Sequence, residues 1–247
     1  MLQQQLHSIS LSRLSPYLTL CGNNQKEAVC VYTALQQRSC IYFALIQEIE
    51  VGVRNEMSRV IQSRLSPQQD LLGFFQSLAA DTSSLSLSAA GRKQLADCLR
   101  ELSVSKPNFR ADDVIANITF GFWVHLLNDD GAKNPDYAKW HQMFNGQLFG
   151  KRFASNKDIF LSLRQVLSFR NKLYHQEPVW KGKSIRSPEK ALRNLSKKYQ
   201  NFSCYLQKIA PERAKLRQAS PLLRSMEAGC FDETLLMTEL NYLKTLL

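Results

Sequence analysis

Residues 25–65 contain no proline and a single glycine, Gly52. Within them Cys30, Leu35, Phe43, Ile46, Ile49, Val53, Met57, Val60 and Ile61 supply a helical period. A run of this length and period reads as one very long helix, with a kink expected at Gly52. No other stretch alternates apolar and polar residues long enough for a strand, and there is no internal repeat or low-complexity linker. With 44% hydrophobic residues to supply a core, the expected fold is all-α, as one domain over residues 1–247.

The rest of the chain divides at its turn residues. Leu2, Leu6, Ile9 and Leu14 give a weak helical stripe that should stop near Ser15-Pro16, before a loop over 20–24. Short helices are expected over 70–78 and 88–102, with residues 103–109 and Pro107 as a break. Asp112 or Asp113 should cap a helix carrying Ile115, Ile118, Phe122 and Leu126, with Phe120, Trp123 and Leu127 beside them. Apolar on most sides, it should be the most buried helix. A short aromatic helix comes next, over 136–144. Ser155, with Asp158 three residues on, caps another. Ser187-Pro188-Glu189 is a helix start, and that helix should run to about Ile209, before Pro211 punctuates it. A last short helix is expected over 231–247.

The stretch that carries chemistry is 168–178. Phe160, Leu163, Leu167, Arg170 and Tyr174 recur at three- and four-residue steps, so Arg170 should lie on the inward stripe of its helix. A guanidinium there stays charged, so it needs a carboxylate, a water-filled cleft or a phosphate. Five steps of about 100° carry His175 roughly 140° around the helix from Arg170. The two side chains converge only if the helix loosens or a second copy completes the site. Pro178 disfavours helical geometry at Glu177, so the helix should end near His175.

Arg170-Asn171-x-x-x-His175 resembles the signature of the HEPN superfamily, an arginine followed after four to six residues by a histidine. The continuation His175-Gln176-Glu177-Pro178-Val179-Trp180 is similar to the Abi-like (AbiD/AbiF) abortive-infection branch. Ile49-Glu50-Val51-Gly52-Val53-Arg54-Asn55 resembles that branch's N-terminal helix motif. Thr119-Phe120-Gly121-Phe122-Trp123-Val124-His125-Leu126-Leu127 resembles its central helix. The resemblance implies a HEPN-like helical bundle with extra N- and C-terminal helices. It also implies a metal-independent endoribonuclease that leaves a 2′,3′-cyclic phosphate, acting in phage defence or as a toxin. Two copies are implied to dimerise so that their signature motifs face one cleft. Glu50 is implied to face the signature helix as partner for Arg170.

Such a nuclease uses the substrate's 2′-hydroxyl as nucleophile. His175 is the candidate base or acid. Arg170 is the candidate clamp on the phosphorane. Asn171 shares a helix face with His175 and either orients the imidazole, binds a phosphate oxygen or is ordinary surface. Tyr174 is expected to pack in the core with its hydroxyl near the cleft. Glu177 either holds His175 in one tautomer or is solvated. Glu50 and Arg54 form an i,i+4 pair, which a helix surface alone would explain. The alternative reading is a catalytically silent helical module that binds RNA or a protein, with Arg170 in a buried ion pair and His175 a capping group.

A net charge of +11 and a pI near 9.5 favour a polyanionic partner, most simply RNA. Lys151, Arg152, Lys172, Lys181 and Lys183 are the candidate phosphate contacts. Phe149 and Phe153 either stack bases between Lys151, Arg152 and Lys157 or simply pack. An antitoxin or regulatory protein is the further partner the resemblance suggests. No glycine-rich phosphate loop is present, and His7, His125 and His141 lack metal-ligand spacing, so no cofactor or metal is expected. Six scattered cysteines form no Cys-x-x-Cys pair and are expected as buried thiols of a reducing cytosol. The stretch 114–127 is too short and polar to span a bilayer, and the first residues lack a signal peptide's pattern, so a soluble cytoplasmic protein is expected.

Overall fold

Prolines and short polar caps divide the chain into fourteen α-helices and one 3-10 turn, with no strand, in a computed structural model that describes residues 1–247. Contacts group these residues into two compact units, 1–47 with 168–207 and 211–247, and 48–167 with 208–210. No helix is long and apolar enough to cross a membrane.

The first unit contains α1 (Leu2–Ser8), α2 (Leu11–Leu20), α3 (Gln25–Ser39) and the first turns of α4 (Ile41–Gln62). The long run therefore breaks at Cys40, not at Gly52. Around Cys40 the ladder tightens to three-residue bonds: Cys40 N–H donates to Gln37 O and Phe43 N–H to Cys40 O, both at 3.1 Å. Asn24 caps α3 by accepting from Glu27 N–H at 3.1 Å. Pro16 sits inside α2 and does not stop it. α2 and α14 (Glu233–Leu246) both pack on α3. The last turn of α10 (Asn156–Tyr174) and α11 (Pro188–Ile209) meet the start of α4 in an aromatic cluster. There Tyr42 and Phe169 stand 4.4 Å apart, and Phe169 and Phe202 5.1 Å, between ring centroids. α12 (Pro211–Ala219) and α13 (Pro221–Cys230) each begin on a proline. Pro211 follows the end of α11 at Ile209, as expected, and also opens α12, since a first-position proline loses no intrahelical bond.

The second unit holds the remainder of α4, then α5 (Leu71–Ala79) and α6 (Ala89–Ser105), capped by Asp70 and Ser88. The single buried helix expected after Asp112 is two: α7 (Ala111–Asn117) and α8 (Phe120–His125). Ile118 is extended between them, and the Thr119 hydroxyl accepts from Phe122 N–H at 3.4 Å to start the second. Asp113 does not cap α7 from its N-cap position. It sits in the first turn and reaches back to the Arg110 N–H at 2.8 Å. α9 (Tyr137–Phe144) buries Trp140 and Phe144. Gly52 serves close packing: a Cβ there would lie 2.9 Å from Ile209 Cγ2. The six cysteines are free, but Cys40 and Cys204 are exposed, so burial is not general.

Candidate functional site

α10 opens as its sequence dictates. The Ser155 hydroxyl accepts from Asp158 N–H at 3.1 Å, and the Asp158 carboxylate accepts from Ala154 N–H at 3.3 Å. Its buried face runs through Phe160, Leu163, Val166, Phe169 and Leu173. The stripe read from sequence drifts off this face toward the C-terminus. Leu167 and Arg170 are half-buried, and Tyr174 is 47% exposed. Tyr174 is thus not a core residue. Its ring meets Phe43 edge-on at 5.3 Å, and the Arg170 guanidinium lies 4.5 Å from its centroid.

The end of α10 is a Schellman-type cap. Glu177 N–H donates to Lys172 O at 2.8 Å and Gln176 N–H to Leu173 O at 3.0 Å, with Gln176 left-handed at φ +57°. His175 is the capping residue; its N–H donates to Asn171 O at 3.0 Å and its side chain is exposed. Two helices far off in sequence hold the cap. Arg13 of α2 donates to the Gln176 side-chain carbonyl, and Gln36 of α3 donates to Gln176 O at 3.3 Å. Beyond Pro178, Val179 and Trp180 are buried, Trp180 edge-on to Tyr17 at 5.4 Å. From α11, Asn194 donates to Trp180 O at 2.7 Å, and Lys198 Nζ donates to Val179 O at 2.6 Å and Lys181 O at 3.4 Å. Burial, then repulsion from Lys172, holds the Lys198 ammonium below the ordinary lysine range.

The arrangement gives an exposed imidazole on an immobilised backbone, with a half-buried guanidinium one turn and a half earlier on the same helix. Asn171, Lys172, Glu177, Lys181 and Lys183 are all exposed around this corner of the first unit. Arg13, Gln36, Asn194 and Lys198 carried no sequence signal, because a lone polar residue on an amphipathic helix looks like surface.

The other candidates lie in the second unit. Glu50 and Arg54 form an ion pair whose side chains are 11% and 14% exposed, so it is more than a surface pair. Arg54 also donates to Ala116 O at 2.6 Å and Ile115 O at 3.3 Å, satisfying the last carbonyls of α7. Lys151 and Arg152 are exposed. Their aromatic neighbours pack: Phe149 is 1% and Phe153 7% exposed, and Lys208 Nζ stands 4.8 Å over the Phe153 ring. Neither ring is free to stack a base. Three successive residues there, Phe149, Gly150 and Lys151, are left-handed. The Phe149 N–H donates to Glu56 at 3.1 Å, and Glu56, bonded chiefly to Arg59, is held below the usual carboxylate range. No three His, Cys, Asp or Glu side chains cluster in a way that would hold a metal ion. No family model, curated protein or solved structure matches the chain.

Proposed function

We propose that the chain is a metal-independent endoribonuclease of the Abi-like HEPN kind, acting in the cytoplasm as a defence effector or toxin. The observation that carries this reading is His175: an exposed imidazole borne on the backbone of a helix cap, in a motif that resembles the family's, on a chain of net charge +11. An exposed imidazole with no packing duty, carried on a backbone held by the cap, suits proton transfer with a substrate. In the proposed reaction a base takes the proton of the RNA 2′-hydroxyl and the oxygen attacks the adjacent phosphorus. The 5′-oxygen leaves with a proton from an acid, and a 2′,3′-cyclic phosphate remains. His175 performs one of these transfers and Arg170 holds the non-bridging oxygens. One imidazole does not serve both transfers at once, so the active form is a two-fold dimer in which the second copy supplies the other.

The runner-up is a silent module that binds RNA or protein. It draws on the Arg170 guanidinium over the Tyr174 ring, since cation–π packing is a sufficient reason for an arginine there. RNA cleavage assayed in excess chelator separates the two. Cleavage that persists, disappears in His175→Ala without a change in melting temperature, and spares a 2′-deoxy substrate supports the nuclease. Cleavage that needs a divalent ion, or survives His175→Ala, rejects it.

A further inference from the structure

α14 carries three charged side chains, and each is tied to a partner within the first unit. Glu233 meets Arg193 at 2.5 Å, Lys244 meets Glu27 at 3.1 Å, and Glu239 pairs with Arg38. Every exposed residue of α14 is uncharged. Among them Leu235, Tyr242 and Leu246 are 50%, 62% and 46% exposed. Steps of seven and four residues align these three within about 40° on one face of the helix.

α13 continues the strip. It buries no residue, and Leu222 and Met226, four apart on one face, are both exposed. A Cβ at Gly229, three residues further on, would lie 4.0 Å from Leu235 Cδ1, so that face of α13 abuts Leu235. Arg224 lies about 200° around the helix from both Leu222 and Met226. An apolar strip therefore runs through Leu222, Met226, Leu235, Tyr242 and Leu246 with no charge in it. Contiguous exposed apolar surface of this kind marks an interaction site. The polar residues beside it are neutral as well. The Thr238 and Thr245 hydroxyls donate within the helix, to Thr234 O at 2.9 Å and Tyr242 O at 2.7 Å. The exposed Asn241 amide both donates and accepts, so it can bond to its own copy across a two-fold axis.

We infer that this strip is a homotypic interface, on which a second copy of the chain pairs about a two-fold axis. Charge selects the occupant. A nucleic acid, an anionic lipid surface or an acidic protein would be met by cations, and the strip has none. A chain of net charge +11 repels its own copy wherever charged faces meet. On this strip two copies meet without opposing like charges. The pairing rests on no step of the proposed nuclease, and sedimentation reads it without RNA.

Sedimentation equilibrium of the full chain tests it. Wild type should shift from 28.3 kDa to twice that mass as concentration rises, with the transition between about 1 and 100 µM. Tyr242→Glu should weaken the pairing about a hundredfold or more, because each copy then brings a carboxylate into the apolar seam. The melting temperature of that variant, taken where both proteins are monomers, should match wild type, because the Tyr242 ring is exposed. Added salt should tighten the wild-type pairing, since it screens the net charge and there is no ion pair in the seam to lose. A chain that stays a monomer to about 100 µM overturns the inference, and flotation of that monomer with phosphatidylserine vesicles would assign the strip to lipid instead. A Tyr242→Glu chain that pairs as tightly as wild type overturns it by putting the two-fold on another face. Pairing that weakens as salt rises overturns the neutral seam.

Discussion

Lys198→Met is the substitution that tests how the candidate site is held. Methionine keeps the length of the lysine stem and removes the amine that donates to Val179 O and Lys181 O. Lys181 is exposed, so its carbonyl turns to water at little cost. Val179 is 4% exposed, so its carbonyl is left without that option. Stranding one buried acceptor costs about 1–3 kcal/mol. Opposing this, the variant no longer buries an ammonium near Lys172. That ammonium is only half-buried and hydrogen-bonded, so the stranded carbonyl should win. For a chain of this size the melting temperature should fall by roughly 2–12 °C. The pH dependence sharpens the test. A lysine whose folded pKa is lowered binds fewer protons folded than unfolded, so wild-type stability rises as pH climbs through the lowered pKa toward the ordinary 10.5. Methionine has no such term, so the gap between the two proteins should widen over that window. Thermal melts of both proteins from neutral pH upward measure it. A methionine variant as stable as wild type, or a gap that narrows with pH, would refute the account of Lys198 as the clamp behind the cap.

Gly52→Ala should destabilise the chain despite alanine's better helix propensity of about 1 kcal/mol, because its Cβ would sit 2.9 Å from Ile209 Cγ2. Overpacking of this sort costs about 1–3 kcal/mol, and a variant that melts above wild type would contradict the close approach. The proposed dimer predicts that mixing an Arg170→Ala chain with a His175→Ala chain changes activity relative to either alone; an active monomer in sedimentation would end that proposal. Lys181→Ala with Lys183→Ala should flatten the salt dependence of RNA binding, since both side chains are exposed beside the cap. An unchanged slope would put the RNA surface elsewhere.

The parts of the fold legible from sequence are those whose cause is local. Asp70, Ser88, Ser155 and Ser187 cap helices through bonds to backbone three residues on, so the residue type and its spacing suffice. Pro178 likewise marks the end of α10 near His175. The break at Cys40 and the split at Ile118 were not legible, because the apolar period continues through both and packing decides where the ladder changes. The stripe through Arg170 misled for a related reason. Steps of three and four fit either of two neighbouring faces, and only the cluster of Tyr42, Phe169 and Phe202 selects the one through Phe169. Pro211 and Pro221 show that a proline is directional: it closes the helix on its N-terminal side and opens the one on its C-terminal side.

The left-handed residue that closes α10 is a glutamine, not a glycine. A side chain there costs about 1–2 kcal/mol, and the offset comes from Arg13 and Gln36, well over a hundred positions earlier in the chain. The last turn of α10 is therefore not an autonomous piece of helix. Its closure is coupled to the docking of the N-terminal helices through Arg13 and Gln36, so fraying of α2 and α3 should loosen the segment bearing His175. In hydrogen exchange the amides of Gln176 and Glu177 should open together with those of α2, at a free energy below that of the aromatic cluster beneath them. Anything that peels the N-terminus away, whether a protease or a rival binding surface, would reach the histidine without touching it.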